Sequence, residues 1–400
     1  MRARRAAGAA TLLLAVCALC HGCGGGRALT FDAADVGVEL DAGGADASAT
    51  RDAQVSTDAG CAADASAPAY AVGVTTRLFV DPSRSTPPNG TAPGGPGRSL
   101  NTEIWYPATG DAAAAENRDS PLAPGGAPHP LVLFVHGSSA FRRSATFLTQ
   151  ALARVGYVVA AADFPLTCLN TPGGASDWHV EDQPGDLSFL ATTFFAASSD
   201  PADPLAGALD PGGGYAVVGH STGGTVALLA AFAPDAHDDR VRAAASSSGD
   251  CCFFGDAFFA TRATPLLLLT ASRDLLVPPP SNAQRAYPLA APPKVLAVLL
   301  GGSHLGFTDL DLPDDIGGSP TTTKDPLAQT LSAYGGGTSC EPVPPPAGDP
   351  AMPFKRQHNL AVAWTRAFLD AFMRGAPRNL SCLEASPDPH VAVQRDEGRR

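Results

Sequence analysis

A serine flanked by glycines follows a short apolar segment of this 400-residue chain. Residues 217–224 read VVGHSTGG, which places Ser221 at the centre of a G-x-S-x-G pattern. This pattern is typical of a sharp turn from a strand into a helix, which leaves a nucleophilic hydroxyl exposed above a sheet. The alternative is an ordinary tight turn that carries a serine. The motif alone does not decide between them.

An acidic residue and a histidine follow two later strands predicted from the sequence. Asp274 comes just after the strand predicted at 265–272, and His304 comes after the strand predicted at 294–302. The carboxyl ends of parallel strands meet at one edge of an open α/β sheet, so we expect Ser221, Asp274 and His304 to lie together. His304 could then take the proton of the Ser221 hydroxyl, while Asp274 accepts the other imidazole N–H.

Other side chains compete for the roles of acid and base. Asp256 and Asp309 are alternative acids, but neither directly follows a predicted core strand. His136 and His220 are alternative bases. We expect His220, next to the serine, to project away from it, and His136 to serve in packing. Cys168 has no base placed to activate it.

Apolar strands and amphipathic helices alternate along the chain from residue 71. Strands are predicted at 72–80, 101–108, 130–137, 157–164, 215–221, 241–249, 265–272 and 294–302. Helices are predicted at 144–156, 184–198, 222–233 and 355–375. Continuous apolar strands separated by helices indicate a parallel sheet covered on both faces. The predicted fold is a single α/β domain with a mostly parallel eight-stranded sheet.

The N-terminal part of the chain has the composition of an exported protein. Residues 1–22, basic and then apolar, are predicted to be a signal peptide, and Cys23 after Gly22 is a candidate lipid attachment site. Residues 23–70, acidic and rich in Ala, Asp, Gly and Ser, are predicted to be a disordered linker. The catalytic domain is then predicted to cover 71–376, with a tail over 377–400.

Composition also limits the partners and the cofactors of the chain. The net charge is −12, lysine occurs three times and no basic patch appears, which argues against a nucleic-acid partner. No cysteine or histidine cluster has zinc spacing. The acidic residues of the segment 309–315 could hold Ca²⁺, but without a fixed ligand spacing they are better interpreted as a solvated loop. We expect a monomer that needs no cofactor or metal.

The order Ser…Asp…His after a G-x-S-x-G turn resembles that of the α/β-hydrolases, and the resemblance covers about 75–376. The segment HGSSAFR at 136–142 resembles platelet-activating-factor acetylhydrolases. The segment GGSHLGFTD at 301–309 resembles the histidine loop of that group and of chlorophyllase-like enzymes. The spacing of the three residues is more similar to that of cutinases and poly(ethylene terephthalate) hydrolases, which are related to dienelactone hydrolases.

This resemblance implies roles for further residues. The backbone N–H groups of Ser138 and Thr222 would form the oxyanion hole. Phe141 and Trp178 would line an acyl pocket or simply pack under loops. Exported chains form disulfides, and Cys340 and Cys382 lie on either side of the last predicted helix, so that a Cys340–Cys382 bond is predicted, with Cys251 and Cys252 as competing partners. Such a bond resembles the way in which cutinase-like enzymes fasten their C-terminus.

The resemblance implies an exported serine ester hydrolase that forms an acyl-enzyme. Its expected substrates are short-acyl lipid or phospholipid esters, with a polyester as the alternative within the enzymes. A surface binding protein that keeps the fold without the chemistry is the alternative of another class. The segment from Ser248 to Thr264 is expected to place Phe253, Phe254, Phe258 and Phe259 over the acyl side of the site.

Overall fold

The computed structural model describes residues 69–311, 326–336, 350–385 and 388–398. Ten strands in this part of the chain form one sheet. They are β1 (Ala71–Asp81), β2 (Arg98–Ala108), β3 (Asn117–Arg118), β4 (Leu131–Val135), β5 (Val158–Asp163), β6 (Tyr215–His220), β7 (Val241–Ser247), β8 (Leu266–Ala271), β9 (Lys294–Leu299) and β10 (Val391–Asp396).

The centre of the sheet is parallel and its outer strands are mixed. The strand order is β10-β9-β8-β7-β6-β4-β5-β2-β1-β3. The six strands from β9 to β5 run parallel to their neighbours, whereas β2 is antiparallel to β5 and to β1, and β10 is antiparallel to β9. The chain places β5 on one side of β4 and β6 on the other. The loops that follow β4 and β6 therefore open a crevice at the carboxyl edge, where ligands of such sheets bind.

Helices cover both faces of the sheet. They are α1 (Thr146–Arg154), α2 (Gln183–Ser199), α3 (Thr222–Phe232), α4 (Ala283–Leu289), α5 (Pro326–Leu331), α6 (Phe354–Met373) and α7 (Arg378–Ala385). One apolar core contains buried residues of α2, α3 and α4, and a second contains those of α1, α6 and α7. Because both faces are covered, the central strands β4 and β6 are buried along their whole length, which explains their continuous apolar sequences.

The eight predicted strands and the four predicted helices are all present, but the prediction of eight strands is too low by two. The described part of the segment 377–400, predicted to be a tail, folds as α7 and as the edge strand β10. β10 alternates buried and exposed residues because only one of its faces meets the core. β3 is two residues long. Neither strand has the continuous apolar run by which the others were predicted.

Several predictions concern residues outside the described part of the chain. The signal peptide, Cys23 and the linker lie there, as does Cys340, so that the Cys340–Cys382 bond stays a prediction. Cys252 and Cys382 each take part in a disulfide, and Cys168 and Cys251 carry free thiols. Among the described helices, none has the length and apolar character needed to cross a bilayer.

Candidate active site

The strand β6 and the helix α3 meet at Ser221 in a strained turn. Ser221 has φ of 56° and ψ of −128°, a conformation that side-chain-bearing residues rarely adopt. The backbone segments before and after the turn approach each other closely, and this approach requires a glycine: a Cβ on Gly219 would lie 2.0 Å from the carbonyl oxygen of Gly223. The Ser221 amide donates to the Ser247 carbonyl at 2.9 Å, which ties the turn to the end of β7. The result is a hydroxyl held at the carboxyl edge of the sheet.

Ser221, His304 and Asp274 form one chain of hydrogen bonds. The Asp274 carboxylate accepts the Nδ1–H of His304 at 2.8 Å, which leaves Nε2 to accept the Ser221 hydroxyl at 3.0 Å. Asp274 is 2% exposed, and its other carboxylate oxygen accepts the amides of Leu276 and Val277 at 3.0 and 2.7 Å. The acid is therefore fixed by the turn after β8 and faces the imidazole.

The electrostatic surroundings of His304 favour its protonated form. Burial of the imidazole would by itself lower its pKa, but the charge of Asp274, the hydrogen bond to Asp274 and the charge of Asp250 outweigh it, and the pKa is raised. Asp250 is buried at the end of β7 and was not predicted from the sequence to belong to the site. The sequence feature that could have indicated Asp250 is its position after a core strand, which is the feature that indicated Asp274.

The ring of His220 lies against His304, and its expected orientation away from Ser221 stays a prediction. The centroids of the two rings are 4.7 Å apart, and His220 Nε2–H donates to the backbone carbonyl of His304 at 3.0 Å. Burial and the neighbouring His304 hold the pKa of His220 well below its usual value, so that the ring stays neutral. His220 is therefore a support for the candidate base, a role that sequence reasoning missed.

The loop after β4 passes directly beside Ser221. A Cβ on Gly137 would lie 3.0 Å from the Cβ of Ser221. The loop is held in place by the Ser139 amide, which donates to the Thr167 carbonyl at 2.9 Å, and by His136, whose Nδ1–H donates to the Gly137 carbonyl at 2.8 Å. His136 thus serves in packing, as predicted.

The two predicted oxyanion donors have the surroundings that this role requires. In the described ranges, neither the Ser138 amide nor the Thr222 amide donates to a protein acceptor. Thr222 is the first residue of α3, where an amide has no partner inside the helix. Both amides are thus without a protein acceptor in this part of the chain, and their role as oxyanion donors stays a prediction.

The aromatic side chains predicted near the site occupy two different environments. Phe141 and Trp178 are 39% and 45% exposed, and pocket lining stays a prediction for both. The prediction for the segment after β7 is wrong: Phe253, Phe254, Phe258 and Phe259 are 0–5% exposed and belong to the apolar core that also contains α2, α3 and α4. The Phe254 and Phe258 rings stack at 4.0 Å. Their apolar surface is buried by one another, so they do not cover the site.

The loop that carries His304 is fastened to the helix that follows the oxyanion loop. The Asp309 carboxylate accepts the Thr146 amide at 2.6 Å, the Thr146 hydroxyl at 2.7 Å and the Phe147 amide at 3.2 Å, which caps the N-terminus of α1. The Asp309 amide in turn donates to the Ser144 carbonyl at 2.8 Å. Asp309 is thus engaged by protein groups, whereas Asp314 and Asp315 lie outside the described residues, so that the solvated acidic loop stays a prediction.

In the part of the chain that the structure describes, one cluster of side chains that could bind a metal ion lies next to the oxyanion loop. It consists of His136, Asp163 and Cys168. Both nitrogens of His136 are already engaged, since Nε2 accepts the Phe164 amide at 3.2 Å. Asp163 is paired with Arg142, and burial raises the pKa of the Cys168 thiol to about 11. These atoms are therefore committed to the protein, and the thiol is a poor nucleophile at neutral pH.

Comparison with solved structures identifies the fold. The chain is similar to a ferulic acid esterase from Streptomyces cinnamoneus, with a TM-score of 0.55 and 24% sequence identity over 84% of this chain and 99% of that one. No protein-family model matches the chain, and a search of curated protein sequences found no match. The ten-stranded sheet, its covering helices and this similarity define an α/β-hydrolase fold, as the sequence predicted.

Proposed function

We propose that this protein is an exported serine carboxylic-ester hydrolase that works through an acyl-enzyme. The observation that carries the proposal is the hydrogen-bonded chain of Ser221, His304 and Asp274 at the carboxyl edge of the sheet. Each residue lies in the loop after a different strand, yet the imidazole meets both of its neighbours within 3.0 Å. A binding protein that only kept the fold would not need this arrangement.

The geometry leads to a two-step reaction. His304 Nε2 takes the Ser221 proton as Oγ attacks the ester carbonyl, and the resulting oxyanion accepts the free Ser138 and Thr222 amides. The imidazolium, stabilised by Asp274, gives its proton to the departing alkoxide, and an acyl-serine remains. Water then attacks the acyl-serine with His304 again as base, which releases the acid and restores the serine. Loss of one oxyanion donor typically costs about 3–4 kcal/mol of transition-state stabilisation.

The segment between Ser221 and Asp274 bears on the choice of substrate. After α3 it holds β7, a short 3₁₀ helix at Asp256–Ala260 and β8, and no amphipathic helix that could act as a lid. The lack of a lid helix in this segment supports short acyl groups, and we propose short-acyl lipid or phospholipid esters as substrates. A polyester is the alternative, supported by the exposed rings of Phe141, in the loop after β4, and of Trp178, in the segment after β5. A screen of ester substrates should compare these classes, and it should include a feruloyl ester because the similar structure is a ferulic acid esterase.

The proposed export includes attachment to a membrane. The motif around Cys23 supports a diacylated N-terminus followed by the linker to the catalytic domain. Mass spectrometry of the native protein should find a lipidated Cys23 peptide, and a Cys23→Ser form should be soluble. An unmodified N-terminus that begins elsewhere would leave secretion without a tether.

Labelling with a fluorophosphonate tests the proposed chemistry directly. We expect stoichiometric loss of esterase activity, with the label on the peptide that contains Ser221. Ser221→Ala should keep the fold and lower kcat by several orders of magnitude. Ser138→Ala is the matched control, because it changes a nearby serine but keeps the backbone amide that the mechanism uses. Labelling at another serine, or full turnover by Ser221→Ala, would refute the proposal.

A further inference from the structure

The side chain of Gln357, on the last long helix of the domain, reaches into the loop that carries His304. Gln357 is 1% exposed and lies in the first turn of α6. Its Oε1 accepts the Ser303 amide at 3.0 Å, and its Nε2–H donates to the Ser303 carbonyl at 2.8 Å. One amide therefore satisfies both backbone groups of the residue that immediately precedes His304.

Two glycines of the histidine loop make room for this amide. A Cβ on Gly306 would lie 2.1 Å from Gln357 Oε1, and a Cβ on Gly302 would lie 3.1 Å from the same atom. Gly302 and Gly306 do not have positive φ angles, so a left-handed backbone does not explain them. Close approach of Gln357 does. Gly302 and Gly306 of the segment GGSHLGF are thus the complement of a side chain about 50 residues further along the chain, whereas Gly301 has a φ of 81° and approaches the Pro350 carbonyl instead.

The backbone around His304 is held from two sides. Gln357 fixes the Ser303 peptide groups, and His220 Nε2–H fixes the His304 carbonyl at 3.0 Å. Because the backbone of the loop is fixed at both points, the His304 imidazole is already aligned with Ser221 Oγ in the folded protein. In reactions that depend on such alignment, a displacement of about 1 Å can cost about 100-fold in rate.

We infer that Gln357 is a positioning residue for His304, which holds the base in line with Ser221 through the Ser303 peptide groups. This inference rests on the proposed function, since it concerns the residue that takes the serine proton. Gln357 does not contact the reacting atoms, so its effect should appear in the rate of proton transfer rather than in substrate binding.

The first test compares two buried substitutions on the same helix. Gln357→Met keeps the volume and removes both hydrogen bonds. Thr365→Val is the control: Thr365 is 1% exposed, lies about two turns further along α6, and its hydroxyl has no partner in the described part of the chain. We expect Gln357→Met to lower kcat on p-nitrophenyl acetate about 10- to 100-fold, with KM changed by less than about twofold. The rate of fluorophosphonate labelling should fall by the same factor. Thr365→Val should change none of the three.

A double-mutant cycle provides the second test. Gly306→Ala alone should lower kcat because the new methyl group displaces the Gln357 amide. In a Gln357→Ala background the amide is gone, so that Gly306→Ala should cost little more, and the two effects should be far from additive. This result would tie the glycine to the amide and not to the conformation of the loop.

The outcomes separate this inference from the proposed function. Wild-type kcat in Gln357→Met, additive losses in the cycle, or losses of kcat in both α6 variants that follow their melting temperatures would overturn the positioning role. Failure of the wild-type protein to react with the fluorophosphonate would instead overturn the proposed function.

Discussion

Asp250, buried at the end of β7, acts with Asp274 on the imidazole of His304 and raises its pKa. The two carboxylates differ in kind. Asp274 is bonded to the ring, whereas Asp250 acts through its charge, with its amide held by the Thr225 hydroxyl at 2.9 Å. The candidate base is therefore stabilised in its protonated form by two negative charges and loses part of this stabilisation when either is removed.

The pH dependence of the reaction should reveal Asp250. His304 must be neutral to accept the serine proton, so activity rises with pH through the pKa of His304. Asp250→Asn removes one cause of the raised pKa, and the acid limb of the kcat/KM profile should move to lower pH. Asp256→Asn is the control, since Asp256 is 73% exposed and pairs with Arg285 at the surface. An acid limb that stays in place or moves upward would contradict the role of the Asp250 charge.

The phenylalanine cluster should matter for stability and not for selectivity. Phe254 is fully buried and contacts Phe258, Phe259 and Tyr334. Phe254→Ala should lower the free energy of unfolding by about 3–5 kcal/mol, because it leaves a cavity in the core. Denaturant titration measures this loss, and the order of preference among p-nitrophenyl esters should not change. Phe141 is exposed, so Phe141→Ala should leave the free energy of unfolding nearly unchanged but alter the order of preference among these esters. A new chain-length preference in Phe254→Ala would indicate that the Phe254 ring does contact the acyl group of the substrate.

A buried ion pair between the start of β2 and the start of α2 should be sensitive to loss of one partner. Arg98 and Asp186 are 1% and 0% exposed and make two hydrogen bonds at 2.6 and 2.7 Å. Asp186→Ala leaves the Arg98 charge buried without this partner and should cost about 3–5 kcal/mol of unfolding free energy. Asp239→Ala, which breaks the surface pair of Arg262 with the 81% exposed Asp239, should cost less than about 1 kcal/mol. Equal losses in the two variants would show that burial does not govern these pairs.

The expected acyl-chain preference follows from the absence of a lid helix between Ser221 and Asp274. A long chain gains about 0.8 kcal/mol per methylene only where the protein buries it. We expect kcat/KM on p-nitrophenyl esters to be highest from acetate to butyrate and to fall by dodecanoate. The rate should not jump as the substrate exceeds its solubility limit. A maximum at dodecanoate or longer, or such a jump, would indicate a covered apolar pocket.

The sequence predicted the parts of this fold that depend on continuous patterns. Buried strands gave apolar runs, and the rule that ligands collect at their carboxyl ends brought Ser221, Asp274 and His304 together before any distance was known. β10 was missed because an edge strand that is half exposed has no such run. The pattern reports which residues are apolar but not which way they face, and this is why the four phenylalanines were predicted to cover the site although they are buried in the core.

The supports of His304 could not be predicted in the same way. Gln357 and His220 act through hydrogen bonds to backbone groups, which any residue could offer. Nothing in the sequence around Gln357 shows which loop its helix packs against. The spacing of Gly302 and Gly306 was visible, but its cause lay in a distant side chain.

The cap that Asp309 places on α1 has a consequence for the thermodynamics of catalysis. It joins the loop of the base to the helix that follows the oxyanion loop, so that the two are already held together in the folded protein. The conformational entropy of bringing them together is therefore lost before any ester arrives. Under the proposed function, binding energy from the substrate is left to orient the ester itself, and we expect that even a small acyl group, which has little binding energy to offer, is hydrolysed rapidly.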